Sequence, residues 1–376
     1  MAAVALGVPT FGAPAHPVSS TSCGPVGTSS TDPGFFEDLP TADRPPSDGL
    51  IDRFGRAATD LRVSLTDRCN LRCTYCMPAE GLDWLPNESV LNDAELLRLI
   101  QLGVDLLGIN EVRFTGGEPL LRKGIVELIA SVAALTNRPE MSLTTNGLGL
   151  VRKAVDLKNA GLDRLNVSLD TMNPETFTKL TRRPRHGDVI ASLAAAADAG
   201  LLPVKVNAVL MRGVNDHEAL DLLEFCLQHG YQLRFIEQMP LDAQHGWDRS
   251  TMVTADEITE LLSARYTLAP HAGARGGSPA ELFTVDGDRG TVGIIASVTR
   301  PFCGDCDRTR LTADGQIRNC LFSSTETDLR ALLRSGAHDE EIAAAWRGGM
   351  WTKLPGHGIN DPSFLQPDRP MSAIGG

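Results

Sequence analysis

The residues that could do chemistry are two groups of cysteines. Cys69-Asn70-Leu71-Arg72-Cys73-Thr74-Tyr75-Cys76 sets three thiols at spacings of four and three. They fall in a loop that follows the apolar run Leu61–Leu65. Thiolates are soft ligands and select zinc, copper or iron–sulfur clusters. A four-iron cluster wants four thiolates, so three close together would leave one iron open to a ligand that is not protein. Structural zinc prefers paired Cys-x-x-Cys knuckles, and nothing in the chain suggests the oxidising compartment that disulfides need. Spacing alone leaves a cluster, half a zinc site or unliganded thiols open. The second group is Cys303-Gly304-Asp305-Cys306 with the more distant Cys320, and Arg308-Thr309-Arg310 stands between them. On its own this group also reads as a zinc ribbon short of a ligand. Cys226 lies in a helical apolar stretch and is expected in the core, and Cys23 is expected to be a free thiol.

Repeated strand–helix units must position these groups. Strands are expected at Leu61–Leu65, Glu111–Thr115, Met141–Thr145, Arg164–Leu169, Pro203–Leu210 and Gln232–Glu237. Helical periodicity falls between them, at Ala94–Leu107, Ile125–Leu135, Leu150–Ala160, Val189–Ala199 and Glu218–His229. Gly108, Gly161, Gly200 and Gly230 stand where helices should be capped. The alternation predicts an α/β fold: a parallel sheet of about six βα units with helices outside, forming a partial TIM-type barrel. After Pro240 the alternation stops. Ala255–Leu262 reads as a short helix, and Leu282–Val285 with Thr291–Ala296 as a hairpin around Asp286-Gly287-Asp288. This C-terminal α+β region would close the barrel's open side. The expected division is a disordered extension over 1–50, a barrel over 51–240 and a C-terminal region over 241–376.

In barrels of this kind chemistry sits at the C-terminal ends of the strands, and the remaining motifs fall there. Thr115-Gly116-Gly117-Glu118-Pro119 follows the second strand, and its glycines would let backbone approach a ligand closely. Thr144-Thr145-Asn146-Gly147 and Ser168-Leu169-Asp170 end the next two strands; each alone reads as a turn or cap. Lys205, inside an apolar strand, faces either solvent or a polar cavity. Met239, after the sixth strand, reads as core.

The chain has 376 residues and a net charge of −12, which argues against nucleic-acid binding as a main role. No apolar stretch is long enough to span a bilayer. No basic residue precedes Arg44, so a targeting pattern is lacking and the cytoplasm is expected.

The cysteine loop, with Tyr75 before its last thiol, resembles the signature of radical S-adenosylmethionine (SAM) enzymes. The two three-cysteine sets, Arg308-Thr309-Arg310 and the final Gly375-Gly376 together resemble the GTP 3′,8-cyclase family, the molybdenum cofactor biosynthesis protein A family. The resemblance covers about residues 50–376. It implies two four-iron, four-sulfur (4Fe–4S) clusters, one on Cys69, Cys73 and Cys76 that reduces SAM, the other on Cys303, Cys306 and Cys320 that meets the guanine ring. It implies SAM contacts at Tyr75, Gly117, Ser168 and Met239. GTP contacts are implied at Arg62, Arg113, Thr144, Lys205, Arg308, Thr309 and Arg310, and catalytic roles for Arg62, Gly375 and Gly376.

The implied reaction is abstraction of the C3′ hydrogen of GTP by a 5′-deoxyadenosyl radical. Attack on C8 and reduction then give (8S)-3′,8-cyclo-7,8-dihydroguanosine 5′-triphosphate, an early molybdenum cofactor precursor. Partners would be GTP, SAM and an electron donor, with a homodimer left open and the product passed to the next enzyme. Rival readings are a peptide-modifying radical SAM enzyme with an auxiliary cluster, and a metal-stapled binding protein without catalysis.

Overall fold

The computed structural model describes residues 44–273 and 275–375. Most of the expected N-terminal extension, with Cys23, lies outside the described residues, as does Gly376. Leu50 is already buried and Ile51 bridges Ala57, so the chain is anchored at the position where the sequence ends its extension.

Six strands follow one another in space as in sequence: β1 (Asp60–Ser64), β2 (Glu111–Thr115), β3 (Glu140–Thr145), β4 (Arg164–Ser168), β5 (Val204–Leu210) and β6 (Gln232–Glu237). All neighbours pair parallel. The connecting helices are α1 (Asp93–Leu107), α2 (Ile125–Ala133), α3 (Ala154–Asn159), α4 (Pro174–Thr181), α5 (His186–Asp198) and α6 (Ala219–Gln228). Asn92 caps α1 in a reciprocal box with Glu95, and left-handed Gly108 ends it. Leu150–Ala160 is a short 3₁₀ turn followed by α3 rather than one helix. Helix α4 was not foreseen; Asn173 and Pro174 start it, but its sequence has no net apolar character.

The sheet does not stop at Pro240. After α7 (Ala255–Ser263) come β7 (Leu268–Pro270), β8 (Glu281–Val285) and β9 (Gly290–Ile295), and the expected hairpin is β8–β9. Strand β9 pairs parallel with β6. Beyond it, β10 (Arg308–Leu311) pairs parallel with the opposite edge strand, β1, and carries β11 (Gln316–Arg318) and β12 (Thr327–Asp328) outward. The sheet therefore has twelve strands with β12 and β7 at its edges, an incomplete barrel extended on both sides by the C-terminal region. Helices α8 (Leu329–Arg334) and α9 (Asp339–Trp351) cover the outside next to β11, and α10 (Met371–Ile374) returns toward β1. Val63, Phe114, Leu143, Val167, Val206 and Phe235 are fully buried between sheet and helices. Their alternation leaves the other face of each strand for polar side chains.

Candidate active site

That other face surrounds a cavity of about 300 Å³ at the C-terminal strand ends. Cys69, Cys73, Tyr75, Cys76, Gly117, Thr144, Ser168 and Met239 line it, as do Arg62, Arg113, Arg308 and Arg310. A second hollow of about 80 Å³ is lined by Cys303, Cys306 and Cys320 and shares Met239, Arg308 and Arg310 with the first. Cysteine sets more than two hundred residues apart in sequence thus open onto one continuous space.

The first cysteine loop is held from several sides. Arg72 donates to the Cys69 carbonyl at 2.7 Å, and the backbone N–H groups of Cys76 and Met77 donate to that of Cys73 at 3.0 Å. The C-terminal end of α4 pins it from outside: Arg72 and Thr74 N–H groups bond the Thr181 and Leu180 carbonyls, and Arg182 donates to the Arg72 and Met77 carbonyls. Gly116 and Gly117 are glycine for a reason other than ligand approach. A Cβ on either would lie 2.3 Å from the carbonyl oxygen of Thr66 or Arg68, so the loop itself packs against them. Glu118 then accepts from Thr145 Oγ1 (2.7 Å), Asn146 N (2.7 Å) and Leu120 N (3.0 Å). Burial raises Glu118 to about 7. Asn146, fixed in this way, donates to Asn70 Oδ1 at 2.7 Å and points at the Cys69 sulfur, 3.8 Å away. The Tyr75 hydroxyl donates a hydrogen bond to Asp170 Oδ2 at 2.8 Å, and burial lifts Asp170 to about 6.

All three thiols of this set are pushed up by burial, Cys76 to about 12. Neutral thiols in an apolar, enclosed place fit a site whose ligation would supply the compensating positive charge. Nowhere among the described residues do three Cys, His, Asp or Glu side chains converge on one ion. A zinc ion needs its donors within about 2.3 Å of one centre. Three thiolates of a four-iron cluster bind three different irons, so they need not converge on one centre. The donor sets fit clusters.

The cavity floor is cationic. Arg62 pairs with Asp60 at 3.0 Å. Burial alone would raise Asp60, yet Arg62, Arg113 and Arg308 together draw it down to about 2. Arg113 and Arg310 are each lowered to about 9 by burial and by neighbouring arginines. Arg234, a cavity residue that sequence reasoning missed, is lowered to about 10 for the same reasons. It could have been found by the logic applied to Lys205, a charge in an otherwise apolar strand. Lys205 itself does not line the cavity. It faces Arg234, Arg164 and Arg113, and burial first, then these cations, lower it to about 7. One assignment needs correcting: the Thr309 side chain is on the opposite face, because residues alternate along β10, and its Oγ1 accepts from the buried Trp346 indole at 3.0 Å.

The Met371–Gly375 segment reaches the same space. Ser64 donates to the Ile374 carbonyl at 3.0 Å and Arg310 to the Gly375 carbonyl at 2.5 Å, and Met371 and Ser372 line the cavity. Arg369 anchors this segment through Asp314 and Glu326.

Comparison with known proteins agrees with this geometry. Residues 63–226 match the Radical SAM superfamily model and residues 231–359 the Molybdenum Cofactor Synthesis C model. The chain is 64% identical over 337 residues to GTP 3′,8-cyclase of Streptomyces coelicolor, covering 89% of this chain and 99% of that one. It is 60% identical over 344 residues to the Corynebacterium glutamicum protein of the same name, covering 88% and 91%. Among solved structures it resembles Streptococcus suis SuiB bound to S-adenosylmethionine. That likeness has a TM-score of 0.52 at 14% identity over 82% of this chain and 69% of that chain, and it concerns the fold alone.

Proposed function

The chain belongs to the GTP 3′,8-cyclase family of radical SAM enzymes, and from that premise we propose that its cavity holds SAM and GTP together and joins C3′ of GTP to C8. As a family member it binds SAM and an iron–sulfur cluster and works in molybdenum cofactor synthesis. The observation that carries the substrate reading is the floor of buried cations. Arg113, Arg234 and Arg310 lie together with too few anions, which is unfavourable without a ligand. A triphosphate supplies the missing negative charge, and guanidinium groups bind phosphate through paired donors.

Cys69, Cys73 and Cys76 would hold an iron–sulfur cluster, which would supply the reducing electron for SAM cleavage. Tyr75, Gly117, Ser168 and Met239 hold SAM beside these thiols. Arg62, Arg113, Thr144, Arg308 and Arg310 hold GTP with its ribose turned toward them; Lys205 acts from behind as a charge, and Thr309 serves by holding its strand. Cys303, Cys306 and Cys320 would hold a second cluster, which would help bind the guanine end of GTP. The chain's part is to align C3′ and exclude water. Gly375 and Gly376 support the radical step.

The cytoplasm is the proposed place of action, with an electron donor as partner and the product handed to the next enzyme. No helix of the described residues is long and apolar enough to cross a membrane. The test is anaerobic incubation with GTP, SAM and a strong reductant, with chromatographic separation and fragment-mass analysis of the nucleotides. A product isobaric with GTP, together with 5′-deoxyadenosine, is expected. SAM cleavage with GTP left unchanged would refute the substrate reading.

A further inference from the structure

The second cysteine set has a cation beside it that none of these roles uses. Lys353 follows α9 and is 4% exposed. Its Nζ donates to the Cys306 carbonyl at 3.2 Å, the Arg308 carbonyl at 3.0 Å and the Cys306 sulfur at 3.3 Å. These partners include no carboxylate, and a buried ammonium without a counter-charge is costly. The segment carrying it is fastened to the other two cysteines as well. Arg56 bridges the Cys303 carbonyl (2.6 Å) to the carbonyls of Leu354 (2.6 Å) and Pro355 (3.0 Å). Asn319, next to Cys320, donates to the Gly349 carbonyl at 2.9 Å and to Thr352 Oγ1 at 3.0 Å. Three separate ties fix where the ammonium sits. In the first set the cation, Arg72, donates to the Cys69 carbonyl, and the side-chain donor to the Cys69 sulfur is the neutral amide of Asn146, at 3.8 Å.

We propose that Lys353 is a positioning residue of the second site, orienting the Cys306 sulfur and setting a positive charge against it, so that the cluster there is easier to reduce than the first. The inference rests on the two-cluster reading. Hydrogen bonds and positive charge at a cluster sulfur stabilise the reduced, more negative state and raise its potential. The asymmetry suits the division of labour, since only the first cluster must be reducing enough to cleave SAM.

The experiment uses the full chain reconstituted anaerobically, with iron and sulfide counted per chain and each cluster titrated potentiometrically by electron paramagnetic resonance. Lys353→Gln keeps a donor without the charge and should shift the second cluster's midpoint negative while leaving the first unmoved. Lys353→Met should show the same shift or lose half the iron, from the second site alone, and Lys353→Arg should restore the midpoint toward that of the parent. Unmoved potentials in the Gln and Met variants at full iron content would overturn the inference. So would equal shifts in both clusters, or loss of folded circular dichroism in both variants, which would mark a general staple. A parent protein with iron for one cluster only would sink the two-cluster reading and this inference with it. That outcome is distinct from failure of the inference alone, where the parent carries both clusters.

Discussion

Gly375→Ala offers a sharp test of the tail's role. Gly375 has φ of 85°, a conformation that alanine adopts poorly. A Cβ there would stand 2.2 Å from Ser64 Oγ and 2.9 Å from Thr115 Cγ2. Ser64 is fully buried and its hydroxyl is committed to the Ile374 carbonyl, so it can yield only by giving up that bond. Leaving such a buried group unpaired costs about 1–3 kcal/mol, and alanine in this backbone region about 1–3 kcal/mol more. Against this stand two hydrogen bonds, from Ser64 and Arg310, each contributing about 1 kcal/mol net, or somewhat more for the charged donor. The balance favours release of the last turn. Anaerobic turnover with GTP and SAM should therefore fall by about tenfold or more, the factor that each 1.4 kcal/mol represents. Iron content and calorimetric GTP affinity should hardly change. The double variant Ser64→Ala/Gly375→Ala removes the closest clash and should recover part of the rate. Full-rate cyclisation by Gly375→Ala would refute the reasoning.

Cys73→Ala should abolish SAM cleavage, while Cys306→Ala should spare SAM cleavage and stop GTP turnover; iron falling to zero in either single variant would argue for one shared cluster. Arg113→Met should raise the melting temperature of the ligand-free protein, because it removes a buried, mutually repelled cation, and should weaken GTP more than guanosine by about tenfold, a charge-assisted contact being worth about 1.5–3 kcal/mol. Equal losses for the two ligands would count against a phosphate role. Lys205 titrates at about 7 in the free protein, and a bound triphosphate would return it toward its ordinary value. Binding then takes up a proton, and GTP affinity should fall as pH rises above 7, by up to about tenfold per unit. Lys205→Met should flatten that fall; an affinity that rises with pH over this range would contradict the sign.

Much of the barrel was legible because its strands are apolar runs and its helices end at glycines. Gly108, Gly161, Gly200 and Gly230 all have positive φ at helix ends. Strand β10 was not legible. Arg308 and Arg310 face a polar cavity, so period-two patterning reads as charge rather than as a sheet face. Helix α4 was hidden by its polar composition. The cysteine sets were readable because ligand spacing is a local property. Lys353 and Asn146 were not, since each meets its sulfur across 47 and 77 residues of chain. The purpose of Gly116 and Gly117 was half-read: close approach is required, but to the cysteine loop.

A chain with net charge −12 must still attract a triphosphate. Screening makes this a local question, since exposed charges more than about 8 Å apart scarcely act on one another at physiological salt. The acidic surface is wet and screened, whereas the arginines of the cavity are buried in a medium where charges act strongly. Their arrangement depends on β10 pairing with β1, which sets Arg308 opposite Asp60 and Arg310 opposite Arg62. That same pairing places Cys306 and Cys303 just before the strand, beside the cavity that the first cysteines line. One strand addition therefore brings the second thiol set and two of the cavity's cations together, and a slip of one residue in β10 would turn both arginines into the core and Thr309 into the cavity.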